Sequence, residues 1–79
     1  RRVSELVQQV SRRPDDPDLR CEVGALFLRN GQVAEGVRWL ESALRLNPTH
    51  VASHTALAAH YEATGRADLA AQHRARAKP

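Results

Sequence analysis

The sequence predicts an all-α fold, a stack of antiparallel helix pairs, on three observations. The first is composition: 42% of the 79 residues are apolar but only 4% are aromatic, so the core has to be built from Ala, Leu and Val. Helices packed through small side chains suit that supply better than a sheet, which draws more on β-branched and aromatic residues. The second is a pair of helix stops. "ALRLNPTH", Ala43 to His50, ends a helical pattern at Pro48, and "VSRRPDDP" ends another at Pro14. Proline lacks the backbone donor and its ring clashes with the preceding turn. The third is spacing. Pro14 and Pro48 stand 34 residues apart, as do Gly31 and Gly65, Phe27 and Tyr61, Ala25 and Ala59, and Ala43 and Ala77. Proline, glycine, aromatic and small positions sharing one register mark an internal repeat.

Five helices follow, at Val3–Arg12, Pro17–Arg29, Val33–Leu46, Val51–Thr64 and Ala67–Ala77. The first carries Val3, Leu6, Val7 and Val10 at helical spacing, a stripe that needs a surface to pack on. The second opens with Asp16 as N-cap and Pro17 at the first helical position, and Asp18 puts negative charge at the positive end of the helix dipole. The third groups Val37, Leu40, Ala43 and Leu44 on one face, with Trp39 beside them, and stops before Pro48. The fourth begins at or just after His50. Gly31 and Gly65 follow "FLRN" and "YEAT", where a left-handed residue closes the free carbonyls of a helix end. Gly24, Ala58, Gly36 and Ala70 lack bulk, which lets paired helices approach to about 8–9 Å at a crossing angle near +20°. Phe27 and Tyr61 fill the space beside them.

On these residues the chain resembles the tetratricopeptide repeat (TPR) family, whose unit is a helix–turn–helix of 34 residues, the spacing seen here. The pattern reads Val23-Gly24, Phe27, Gly31, Gly36 where Ala is usual, Leu40, Ala43 and Pro48, and then Leu57-Ala58, Tyr61, Gly65, Ala70 and Ala77. The resemblance covers essentially the whole chain and implies a right-handed superhelical stack, an α-solenoid of about two and a half repeats. Residues 1–16 are then the second helix of a partial upstream repeat, 17–50 a full repeat and 51–79 a slightly shortened one. A first residue of Arg1 rather than Met fits a segment of a longer protein. Two features depart from the pattern. Arg20 and His54 stand where the family often has Trp or another large apolar residue, which weakens helix packing. Arg74 stands where an aromatic or Leu is expected, which suits a terminal helix whose outer face meets water.

The resemblance also implies a role: a protein-interaction module or scaffold binding a peptide or protein segment in a shallow groove. The first helix of each repeat lines it. In register the groove shows Asp18, Cys21, Glu22, Ala25, Leu28 and Arg29, then Ala52, Thr55, Ala56, Ala59 and Glu62. Related arrays that grip C-terminal carboxylates use Lys and Asn at sites occupied here by Cys21, Glu22, Ala25, Thr55, Ala56 and Ala59, so carboxylate-tail recognition is not expected. An apolar or basic helix, or an extended segment, fits the remaining chemistry. The alternative role is a structural C-terminal cap or a homo-oligomerisation element with no ligand of its own. For self-association the candidate edge is Val3, Leu6, Val7 and Val10, left without an upstream neighbour.

The remaining chemistry points away from catalysis. One cysteine rules out an intramolecular disulfide framework or a multi-thiolate zinc site. Cys21 has no local base, and its place at a helix start predicts a slightly lowered pKa. His50 and His54 share a helix face but lack further ligands close in sequence, and His60 and His73 fall on different helices, so no metal or cofactor is expected. Asp15, Asp16 and Asp18 are explained by capping. The net charge of +3 comes from dispersed Arg, with Arg12-Arg13 and the tail from Arg74 to Lys78 its densest points. Interleaved acids and committed aromatics leave no base-stacking platform, so nucleic acid is disfavoured. No run of about 18 apolar residues is present to span a bilayer. The default compartment is the cytoplasm.

Overall fold

The 34-residue register is written into the backbone hydrogen bonds. The computed structural model describes residues 2–77, the side chain of Arg2 excepted; Arg1, Lys78 and Pro79, and with them the end of the basic tail, lie outside the described residues. Five helices run in order: α1 (Arg2–Arg12), α2 (Pro17–Arg29), α3 (Val33–Leu46), α4 (Val51–Ala63) and α5 (Ala67–Ala77). Among the described residues there is no strand. The expected helices are all present; α1 begins one residue earlier, and α4 ends one earlier with Thr64 as its cap.

Both hairpin corners have the same construction. Gly31 has φ +80° and Gly65 φ +79°, the left-handed region that costs glycine nothing. At the first corner Gln32 N–H reaches Phe27 O at 2.9 Å and Gly31 N–H reaches Leu28 O at 3.1 Å. At the second, Arg66 N–H reaches Tyr61 O at 2.8 Å and Gly65 N–H reaches Glu62 O at 3.3 Å. These paired bonds close the orphan carbonyls of α2 and α4 and turn the chain back in three residues. The proline stops are also matched. Arg13 N–H bonds Gln9 O and Asn47 N–H bonds Ala43 O, each at 2.9 Å.

The short corners pack α2 on α3 and α4 on α5. α1 lies on α2, α3 meets α4, and α2 runs beside α4. The result is a slab with extents of 35 × 26 × 15 Å. Its core has two parts. Leu6, Val10, Leu19 and Val23 are buried together, with Phe27 and Trp39 half-buried against them. Cys21, Leu40, Ala43 and Leu57 form the second part, joining α2, α3 and α4. The stripe of α1 is therefore not an open edge: Leu6 and Val10 are buried and Val3 and Val7 half-buried, because the stripe lies on α2. The rest of α1 shows Glu5, Gln8, Gln9 and Arg12 to solvent.

The α2–α3 approach depends on two glycines that face each other. A Cβ on Gly24 would lie 2.8 Å from Leu40 Cγ and 2.9 Å from the Gly36 carbonyl oxygen; one on Gly36 would lie 2.7 Å from Leu28 Cγ and 2.9 Å from the Gly24 carbonyl oxygen. Their counterparts in the second hairpin, Ala58 and Ala70, are also buried.

Gly24→Ala should therefore destabilise the fold. The ordinary helix-propensity gain of about 0.5–1 kcal/mol is outweighed by an overpacking cost of about 1–3 kcal/mol, because one clashing partner is backbone and cannot rotate away. A thermal melt checks it. At about 4–8 °C per kcal/mol, a melting point at or above that of the unaltered protein would show that the hairpin has room for a methyl group.

Candidate functional site

The candidate groove is the surface of α2 and α4, and the structure divides its expected residues into floor and rim. Cys21 is 8% exposed and belongs to the core that joins α2 to α4, so it lies beneath the surface. Leu28 is half-buried and packs on Gly36 and the same core. Ala25 and Ala56 are half-buried, while Asp18, Glu22, Arg29, Ala52, Thr55, Ala59 and Glu62 are exposed. Glu62 is ion-paired with Arg74 of α5, so the acid expected on the groove has its charge answered from behind. Arg74 here ties the two helices of its hairpin together across their exposed side. Such an exposed pair contributes little, about 0–1 kcal/mol.

The joint between the two hairpins is polar. His50 caps α4: its Nδ1 accepts from Ser53 N–H at 3.3 Å and lies 2.7 Å from Ser53 Oγ. Its Nε2 donates to Asp18 Oδ1 of α2 at 2.6 Å. A carboxylate can only accept, so the proton of neutral His50 sits on Nε2 and both Ser53 groups donate to Nδ1. Asp16, at the same register position one repeat earlier, caps α2 by accepting from Asp18 N–H at 2.9 Å and Leu19 N–H at 3.4 Å. Asp18, expected to complement the α2 dipole, also reaches across to the next hairpin. No local pattern could announce that contact, since its partners are 32 residues apart.

Asp18, His50 and Ser53 are connected as carboxylate, imidazole and hydroxyl, the order found in hydrolytic triads. Ser53 is 0% exposed, so no substrate reaches its oxygen, and the chain of contacts is a structural joint. Cys21 lies at the same place. Burial, the largest influence, raises its thiol above the ordinary value; the Ser53 hydroxyl pulls it down, and the Asp18 and Glu22 charges push it up further. The lowered value expected from a helix start is thus reversed, because desolvation disfavours the thiolate.

Arg20 and His54, 34 residues apart, share a task. Arg20 Nε donates to Pro14 O at 3.0 Å, and His54 Nε2 donates to Pro48 O at 2.8 Å. Each ties a helix to the carbonyl of the proline that stopped the helix before it. His54 is 2% exposed and its Nδ1 meets His73 Nδ1 of α5 at 3.0 Å. Among the described residues no three His, Cys, Asp or Glu side chains are grouped so as to hold a metal ion.

Two depressions flank these elements. One of about 400 Å³ is lined by Arg20, Glu35, Arg38, Trp39 and Ser42, with Arg38 ion-paired to Glu35. The other, of about 380 Å³, lies between α1 and α2 and is lined mainly by Glu5, Gln8, Gln9, Arg12 and Glu22. Among the described residues no helix is long and apolar enough to cross a membrane. No family model, no curated protein and no solved structure matches the chain.

Two measurements probe the joint. Native Cys21 should react with a thiol reagent at neutral pH at least about tenfold more slowly than in denaturant, because thiolate and access are both withheld; equal rates would place the thiol in solvent. His50→Ala should cost about 2 kcal/mol or more in a denaturant melt, losing an N-cap worth about 0.5–2 kcal/mol and leaving the buried Ser53 hydroxyl without its acceptor. Asp18→Asn, at an exposed carboxylate, should cost less than about 1 kcal/mol. The reverse order would make the Asp18–His50 contact, and not the cap, the source of stability.

Proposed function

We propose that this chain is a protein-interaction module of the tetratricopeptide type, binding a helix or extended segment of another protein along α2 and α4. The observation that carries this reading is the low, small-residue surface where the two helices run side by side. Ala59, Thr55 and Ala52 are exposed on α4 and Ala25 is half-buried on α2, with Leu28 and Cys21 packed in the core that joins the two helices. Small residues lower the ridges of both helices, so a partner's apolar side chains can seat between them. Asp18 and Glu22 on the first turns of α2 favour a partner with basic residues at that end. No Lys or Asn stands at the positions that would clamp a terminal carboxylate.

The 34-residue match of corners and stops supports the family reading, because unrelated hairpins have no reason to share both corner bonds of each turn at one offset. A capping role has its own support: the outer face of α5 carries Ala71, Gln72, Ala75 and Arg76, all exposed, a face that water can cover.

Titrating the isotope-labelled protein with amphipathic Leu/Lys peptides tests the groove. Saturable amide shifts are expected at Ala25, Thr55 and Ala59. Ala59→Arg should weaken binding about tenfold, or 1.4 kcal/mol, without lowering the melting point; Leu28 is unsuitable for this test because it packs the core. Saturable binding mapped to another face, or binding indifferent to Ala59→Arg, would overturn the reading.

A further inference from the structure

Between α4 and α5 two imidazoles meet. His54 Nδ1 and His73 Nδ1 are 3.0 Å apart, with ring centroids 5.2 Å apart. Two nitrogens of the same kind at that distance hold one proton between them; two N–H groups or two lone pairs would repel. The other nitrogen of His54 decides which ring supplies the proton. Nε2 lies 2.8 Å from the Pro48 carbonyl oxygen, so it carries hydrogen and donates. In neutral His54, Nδ1 is then a lone pair, and His73 donates to it through its own Nδ1–H. His54 is 2% exposed, so water does not take over its bonds, whereas His73 is half-buried, its ring stacked on Tyr61 at 5.7 Å.

We propose that the His54–His73 contact is an acid-released latch that fastens α5 onto α4. The neutral pair makes the bond. A proton added in acid goes to His73 Nε2 and places charge in a partly desolvated site beside Arg76. Water solvates that charge better than the docked contact does, so the charged ring favours the state in which α5 has left α4. Apart from this contact α5 is held by buried Ala70 and half-buried Leu69 and Ala77, all apolar and insensitive to protons, and the exposed Arg74–Glu62 pair contributes little. An 11-residue helix is marginal in water once undocked, so release means local unfolding and exposure of the α4 face around Ala58.

The charges around the pair agree in direction. Burial is the largest influence lowering the pKa of His73, followed by the repulsion of His54 across the contact and of Arg76 on its own helix; Glu41 of α3 opposes them. Tyr61 of α4 covers the ring face, and His60 packs on Tyr61 with centroids 5.2 Å apart. Because the native value is depressed below the unfolded value of about 6.5, the unfolded chain binds the proton more readily. The contribution to stability is complete above that value and is lost as pH falls through the native one.

Hydrogen exchange at about pH 7.5 and about pH 5, corrected for intrinsic rates, reads the latch. Protection of the α5 amides should fall at least about tenfold more than that of α2 and α3. His73→Gln supplies a side-chain donor to His54 Nδ1 that does not titrate, so its α5 protection should stay level between the two conditions. Equal loss across all helices, or a wild-type acid response in His73→Gln, would overturn the proposal. Ring-nitrogen NMR of the unaltered protein tests the same point without a substitution. It should show His54 protonated on Nε2 and His73 on Nδ1 at neutral pH, and the opposite tautomer at His54 would sink the latch.

Discussion

Close approach of helix backbones is the constraint on which this small protein depends. With three aromatic residues in the whole chain, the core cannot be filled by large side chains. It is filled by bringing backbones together. Gly24 and Gly36 let α2 and α3 come within a distance that a single Cβ on either would obstruct. Leu40 and Leu28 then occupy the space around that contact, and Val23, Leu40, Ala43 and Leu57 end almost completely buried. The corners at Gly31 and Gly65 serve the same end, since a short, fixed turn sets the two helices of each hairpin face to face.

Stacking one hairpin on the next follows a different rule. Between hairpins the apolar contact of Cys21, Leu40, Ala43 and Leu57 is joined by polar bonds. Asp18, His50 and Ser53 join α2 to α4, and Arg20 and His54 bond the carbonyls of Pro14 and Pro48. The Pro14 carbonyl is at an exposed site, but the Pro48 carbonyl is part-buried, where an unpaired carbonyl costs about 1–3 kcal/mol. Arg20 and His54, at one repeat position, supply the donors to these two carbonyls. Among the described residues no buried side-chain nitrogen or oxygen lacks a partner. Such bonds are directional, so they set how one hairpin sits on the next more sharply than apolar contact would.

The hydroxyl and thiol with nucleophilic chemistry, Ser53 and Cys21, are turned into the joint, the first fully buried and the second nearly so. Apart from Val51, what faces outward on α2 and α4 is small or charged, and the acid at Glu62 is already matched by Arg74. The two hairpins differ in one respect. Where the first sets Arg20 and Trp39 beside an open depression, the second sets His54 against His73. Imidazoles at the second site make the docking of α5 responsive to protons, which the guanidinium and indole of the first cannot do in the physiological range.

The sequence by itself determined the helices and their order. Pro14, Pro48, Gly31 and Gly65 act through their own backbone geometry, so their effect needs no distant partner. The repeat register likewise named the small positions at Gly24, Gly36, Ala58 and Ala70 that pack inside each hairpin. Tertiary structure alone decided the chemistry of the joint. Asp18 and His50, and His54 and His73, lie on different helices and meet only when the hairpins close, so periodicity along one helix carries no trace of them. It also decided that Leu6 and Val10 are core and that Cys21 is hidden beneath the groove it was expected to line, because a stripe shows which face is apolar but not what lies against it.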